Sequence, residues 1–147
     1  MGVEYDAVAL KIQMGVPLPG RSTRDLIALS ALLDRFGKLD KPVSLSVLGA
    51  PAAPITAMGE DALEPGQWRR PWSPDQQALW ASRAMALAAG KPYVKSICWQ
   101  EIADGPAPCM PGGGLLNAQG QRRPAMASII ALREALRSKA VRLPGAD

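Results

Sequence analysis

Three short apolar segments are each followed by a longer segment with helical periodicity, and this alternation leaves few folds open to the chain. The apolar segments are residues 6–14, 42–48 and 94–99. The first is small or apolar on both of its alternating sets, apart from Lys11 and Gln13, as expected of a strand covered on two faces. Strands that alternate with helices pair in parallel, because each helix returns the chain to the start of the next strand. The sequence therefore predicts an α/β fold with three parallel strands, flanking helices and right-handed crossovers.

The first helix is predicted to begin at Ser22 or Thr23, both of which are good N-cap residues. Asp25 would then lie in the first turn, where a carboxylate offsets the helix dipole. Gly37 follows the last apolar residue of the stripe and is the expected C′ residue.

The second helix has the strongest local signature in the chain. Ser73 fits the N-cap, Pro74 the first helical position and Gln76 the capping-box position, and Gly90 ends the apolar pattern. Pro124 opens a third helix, whose apolar residues recur at helical spacing.

Chain length limits how many strand–helix units the fold holds. A closed eightfold barrel needs about 250 residues, whereas this chain has 147. We therefore expect one domain, a partial (β/α) barrel over residues 1–140, followed by a disordered tail over 141–147. The loop 50–71 is long for a compact domain, and such loops are usually functional.

The charge pattern favours neither nucleic acid nor a membrane as a partner. The net charge is +4 and the basic residues are scattered, with Arg69–Arg70 and Arg122–Arg123 as the only adjacent pairs. No apolar run approaches the ~20 residues of a membrane span. The first residues are too polar for a signal peptide, and the cellular compartment stays open.

Histidine is absent, which excludes Ser–His and Cys–His nucleophilic pairs and the commonest zinc ligand. Cys98 and Cys109 are the two cysteines, expected as buried or free thiols. The glycines at 112–114 are not a phosphate loop, since no Lys-Ser/Thr follows them. The sequence therefore predicts neither a metal site nor a cofactor.

Short motifs spread over nearly the whole chain carry a resemblance to a known family. They are DRFGKLDKPVSLSVL (34–48), WSPDQQA (72–78), KPYVKSICW (91–99) with Asp104-Gly105, GGLLN (113–117) and RPA (123–125). Their order and spacing resemble the C-terminal portion of glycoside hydrolase family 10, the endo-1,4-β-xylanase barrels. The resemblance implies that the three units correspond to units six to eight of a TIM (β/α)8 barrel.

That family cleaves β-1,4-linked xylan with retention, using a general acid/base after strand four and a nucleophile on strand seven. The acid/base half has no counterpart here, and Val47 stands at the nucleophile position. Gly49 replaces the following aspartate, Gly15 the usual histidine of strand six, and Gln100 an active-site tryptophan. The resemblance thus implies polysaccharide breakdown as the family's activity and no catalytic residue in this chain, which we expect to be inactive alone.

Six residues are candidates for substrate binding, each with a structural alternative. The carboxylates could contact sugar hydroxyls, serve as a surviving acid or cap loops. The indole rings could stack on sugars, or pin loops and fill the core, and the first glutamine could bind substrate or a neighbouring strand. The candidates are Gln13, Trp68, Trp99, Gln100, Glu101 and Asp104.

Three functions remain open from the sequence. The chain is a truncated or split family 10-like hydrolase, a non-catalytic carbohydrate-binding module, or a scaffold or subunit without a sugar role. The expected partners are a β-1,4-linked polysaccharide or oligosaccharide and, because a partial barrel leaves strand edges and an apolar lumen face open, a second copy or a complementary half-barrel.

Overall fold

The computed structural model describes residues 4–15, 25–54, 67–106 and 109–140. Strands and helices alternate in the order β1 (Val8–Gln13), α1 (Leu26–Gly37), β2 (Val43–Gly49), α2 (Pro74–Ala89), β3 (Val94–Trp99) and α3 (Pro124–Ala140). The tail predicted to be disordered, residues 141–147, lies outside the described residues. No helix of the described ranges is long and apolar enough to cross a membrane.

The three strands form one sheet in the order β1-β2-β3, and both pairs are parallel. The prediction of an α/β fold with three parallel strands is therefore confirmed. The pairing of β1 with β2 shifts at one point: Leu10 pairs with Leu45, whereas Lys11 pairs with Val47. The skipped residue, Ser46, forms a bulge, and its hydroxyl donates to the Leu10 carbonyl at 3.2 Å.

The core lies between one face of the sheet and the helices. Apolar side chains of β1 and β2 pack there against α1 and α2, with Trp80 fully buried and Trp72 meeting its ring edge-on at a centroid distance of 6.4 Å. The buried cluster includes Ile12, Leu29, Leu33, Leu45, Leu48, Trp80, Ala84 and Ala88.

The opposite face of the sheet is open, and it is polar. Lys11, Ser46, Ser96 and Cys98 are exposed there, and the Ser96 hydroxyl bonds the hydroxyl of Ser44. The expectation of an exposed apolar lumen face is wrong, because the exposed side chains at these positions are polar groups or a thiol that water can solvate; Val47, an apolar side chain of β2 on this face, is half-buried. Among the described residues, the outer strands β1 and β3 each pair on one side only.

Two details of α1 differ from the sequence prediction. Asp25 is the N-cap and not a first-turn residue, since its backbone is extended and its carboxylate accepts the Ala28 amide at 2.6 Å. Gly37 is the last helical residue and not a C′ residue. A Cβ at that position would lie 2.6 Å from the Tyr93 ring, so the ring explains the glycine.

The boundaries of α2 and the start of α3 agree with the prediction. Ser73 caps α2 by accepting the Gln76 amide, Pro74 is the first helical residue and Gly90 the C-cap. Pro124 opens α3. These ends follow from side chains within a few residues of each other, which is why the sequence alone predicts them.

Candidate functional site

The carboxyl ends of the three strands lie at one end of the open face, and we call the region around Gln13, Gly49 and Gln100 the corner. Gln13 ends β1, Gly49 ends β2 and Gln100 follows β3. The Gln13 Nε2 donates to the Gln100 Oε1 at 2.6 Å, so the two amides bridge over the end of β2. A Cβ at Gly49 would lie 2.9 Å from the same Oε1 atom. The glycine therefore leaves the room that this amide bridge occupies.

Gln13 and Gln100 are thus brought together by the fold. Gln13 is buried and Gln100 half-buried. Backbone bonds fix both: the Met14 amide donates to the Gly49 carbonyl at 2.9 Å, and the Gln100 amide to the Leu48 carbonyl at 2.8 Å. The corner consequently offers a pre-positioned pair of amide groups, which can donate to and accept from hydroxyl groups.

Glu101 lies next to this corner, and its two carboxylate oxygens differ in their hydrogen bonding. Oε1 accepts the Cys109 amide at 2.7 Å and so caps the loop that follows β3. Oε2 is buried and has no hydrogen-bond partner among the described residues. It sits against Gly113, where a Cβ would lie 2.8 Å away. A buried carboxylate oxygen without a donor is costly, so Oε2 is the atom at this corner with most to gain from a hydroxyl or water donor.

Asp104 is fully engaged within the protein. Its Oδ2 pairs with Arg123 at 2.7 Å, and its Oδ1 accepts the Gly114 amide at 2.8 Å. Burial alone would raise the pKa of Asp104, but the hydrogen bonds from Arg123 and Gly114 outweigh it and hold the pKa below its ordinary value. The carboxylate is therefore ionised at neutral pH and anchors the start of α3 to the end of β3.

The two candidate tryptophans both lie away from the open face. Trp68 is 3% exposed, belongs to the buried cluster and is flanked by the Arg69 guanidinium at 5.0 Å from the ring centroid. Trp99 is half-buried on the helix side of β3, and its indole N–H donates to the Gly113 carbonyl at 2.9 Å. Both rings thus pin loops and fill the core, which are the structural alternatives to stacking on sugars.

Val47 lies on the open face, paired with Lys11 across β1 and β2. Its side chain is half-buried, whereas Leu45 and Leu48 of the same strand face the core. An apolar side chain here can neither attack an anomeric carbon nor stabilise a positive charge on the sugar. Within the described ranges, no three His, Cys, Asp or Glu side chains come together to hold a metal ion, and Cys98 and Cys109 are exposed free thiols.

Sequence reasoning missed Gln77, the residue that joins the loops around this corner. Its Nε2 donates to the carbonyls of Ala50 and Gly112, both at 2.8 Å, and so links the end of β2 to the glycine-rich loop. The preceding Gln76 donates from its side chain to the Trp68 carbonyl. The available signal was the pair of adjacent glutamines in the first turn of a mainly apolar helix.

Known protein families provide no sequence match to this chain: no family model matches it, and no curated protein does either. Solved structures do match. Native xylanase 10B from Thermotoga maritima aligns at a TM-score of 0.67 with 14% identity, over 94% of this chain and 39% of that one. An endo-1,4-β-xylanase from Penicillium canescens aligns at 0.62 with 15% identity, over 90% and 37%.

A third matching structure is that of an enzyme named for a different activity. The β-glucuronidase of Bifidobacterium dentium, solved with coumarin-3-O-glucuronide, aligns at a TM-score of 0.60 with 22% identity, over 88% of this chain and 20% of that one. This chain spans about two-fifths of the length of the xylanases. Identities this low establish the fold alone: three parallel β/α units shared with glycosidases of the TIM-barrel type.

Proposed function

We propose that this chain is a segment of a glycoside hydrolase family 10-like barrel, corresponding to units six to eight, and that it does not cleave polysaccharide by itself. Support comes from the alignment with xylanase 10B, which takes in 94% of this chain but 39% of the enzyme. The family motifs point to the same segment, because they occur in the order of the last three units.

The observation that carries this proposal is the side chain at position 47. Retaining glycoside hydrolysis needs two carboxyl groups about 5–5.5 Å apart across the scissile bond. By the motif resemblance, Val47 stands at the position of the family's nucleophile. Gln13 and Gln100 at the neighbouring strand ends do not ionise. Asp104 is committed to Arg123. Glu101 is then the single candidate carboxylate near these strand ends in the described ranges, and one carboxylate cannot run this mechanism.

Release of reducing sugar from xylan tests the proposal directly. We expect no release above the buffer blank from the wild-type chain, from Glu101→Gln, or from the control Glu134→Gln, which changes an exposed carboxylate on α3. Turnover by the wild type that Glu101→Gln abolishes and Glu134→Gln preserves would refute it.

A second candidate function is carbohydrate binding without catalysis. The amide pair Gln13–Gln100 and the unpartnered Glu101 Oε2 favour it, because amides and carboxylates are the groups that bind sugar hydroxyls. Calorimetric titration with a β-1,4-linked xylo-oligosaccharide would show heat that Gln100→Ala removes and the control Ser96→Ala keeps.

Trp68→Ala is a poor probe of that binding, since the ring is buried in the core and its loss would destabilise the fold. A titration without heat for any xylo-oligosaccharide would exclude the binding module. The chain would then be the scaffold or subunit that needs a complementary half.

A further inference from the structure

An apolar groove of about 370 Å³ lies on the helix side of the sheet, along β3. Strand β3 is at the edge of the sheet, so the groove borders backbone that is paired on one side only among the described residues. Leu136, which lines the groove, is 42% exposed. The apolar lining comes from α2, β3 and α3: Met85, Ile97, Trp99, Ile129, Leu132 and Leu136.

The charged residues that line the groove are both arginines. Arg133 and Arg137 are exposed and lie one turn apart on α3. No carboxylate is among the described lining residues. A ligand of this groove must therefore be apolar where it enters and acidic where it meets α3, if it is to satisfy both surfaces.

We infer that the groove and the edge of β3, which is unpaired among the described residues, dock a strand from outside these 147 residues. This strand pairs in parallel with β3. That strand would place apolar side chains in the groove and carboxylates beside Arg133 and Arg137. The inference rests on the proposed function, because a strand in a closed barrel pairs on both sides. The strand next to β3 would then belong to the part of the barrel that this chain does not span.

A second copy of the chain fits the groove poorly. Two-fold pairing of β3 with β3 would bring the arginines of both copies into one interface, where like charges repel. In the other arrangement, β3 of each copy would pair with β1 of the other copy and close a ring. This ring would enclose Lys11 in its lumen. The described residues of the open strand face include no carboxylate to pair with it, and an unpaired buried ammonium group is costly. Charge complementarity therefore favours an acidic partner.

Two labelled peptides of about ten residues, the length of a long strand, provide the probes. In both, valine alternates with threonine; the first has pairs of glutamates at its ends and the second has lysines instead. Fluorescence anisotropy should show that the acidic peptide binds and the basic one binds at least tenfold more weakly. Hydrogen exchange should show protection of the β3 amides (94–99) and not of the β1 edge (8–13).

Reversing the charge of the two groove arginines is the decisive experiment. The double variant Arg133→Glu/Arg137→Glu should weaken the acidic peptide about tenfold and strengthen the basic one, since two exposed ion pairs turn into repulsions. Both arginines are exposed and glutamate is a good helix former, so the fold should tolerate the change. Arg83→Glu, an exposed change on α2 that does not line the groove, is the matched control and should alter neither affinity.

Several outcomes would overturn the inference. Neither peptide binding, both peptides binding equally, or protection at β1 would each do so. A stable dimer by sedimentation whose contacts protect β3 would make a second copy the occupant instead. None of these results depends on hydrolysis or sugar binding, so they can be told apart from a failure of the proposed function, which the xylan assays report.

Discussion

Replacing Gly114 with alanine tests whether the loop after β3 is packed as tightly as the structure indicates. A Cβ at this position would lie 2.6 Å from the Asp104 amide nitrogen, 2.7 Å from the Ala103 carbonyl carbon and 2.7 Å from the Leu116 carbonyl oxygen. All three are backbone atoms, so no side-chain rotation can relieve the contact. The segment 103–104 must move away from residues 114–116, with which it pairs.

The expected cost has two parts. Overpacking of a tightly packed site typically costs about 1–3 kcal/mol, and rigid backbone neighbours place this site in the upper part of that range. The movement also strains the hydrogen bond from Gly114 to Asp104 and the bond from Arg123 to the Gly114 carbonyl, each a net contribution of about 1 kcal/mol. We expect a loss of about 3–4 kcal/mol in the free energy of unfolding, or roughly 6–16 °C in Tm for a chain of this size.

Thermal unfolding followed by circular dichroism measures the effect, with Gly105→Ala as the matched control. A Cβ at Gly105 would meet no atom within 4 Å. That change should leave Tm within about 2 °C of the wild type, or raise it slightly by restricting the unfolded chain. Equal melting of Gly114→Ala and Gly105→Ala would refute the packing of this loop described here.

Three further outcomes are expected. Asp104→Asn should destabilise the fold by about 1–3 kcal/mol at neutral pH, because Arg123 loses a charged partner. The pKa of Asp104 is lower in the folded than in the unfolded chain, so its contribution to stability is present above the unfolded pKa and disappears as pH falls through the folded pKa. Urea unfolding at pH 7 and pH 2 should therefore show that the difference in stability between variant and wild type shrinks in acid. Burial, with the hydrogen bond to Asp34, raises the pKa of Tyr93 to about 12. An ultraviolet titration should find one tyrosine ionising near that value, and stability should fall as pH rises from about 10 to about 12, because the unfolded chain ionises first. Trp80→Phe should cost well below the roughly 3–5 kcal/mol of Trp80→Ala in a chemical melt, since Trp80 is fully buried and its indole N–H has no partner among the described residues.

The sequence predicted those features whose causes are local. Strand β3 matches its predicted bounds, and α2 begins and ends where Ser73, Pro74 and Gly90 indicate. Each of these signals depends on residues within one or two turns. The parallel pairing of three strands also follows from local order, because strands that alternate with helices have little choice of direction.

The sequence predicted several residues of the candidate site but not their contacts, because these contacts join residues far apart in the chain. Gln13 and Gln100 are 87 positions apart, and nothing in either segment indicates that their amides meet. The side of the sheet on which Trp99 lies is equally hidden, since it depends on the irregular register between β2 and β3. The sequence predicts Gly37 as a C′ residue because its contact with Tyr93 is not visible from the local sequence.

The bulge at Ser46 determines which side chains of β2 face the core and which face the open side of the sheet. With strict alternation, the residues of β2 after Leu45 would change faces; the extra residue keeps Leu48 in the core and Val47 on the open face beside Lys11. Apart from the half-buried Val47, the open face thus remains mainly a surface of hydroxyls, a thiol and an ammonium group, which water solvates without a partner. The apolar groove lined by α2, β3 and α3, with Leu136 42% exposed, is a surface that water solvates less well. It follows that association of this chain should respond to substitutions of Arg133 and Arg137 at the groove and be indifferent to substitutions of Ser46 or Ser96 on the open face.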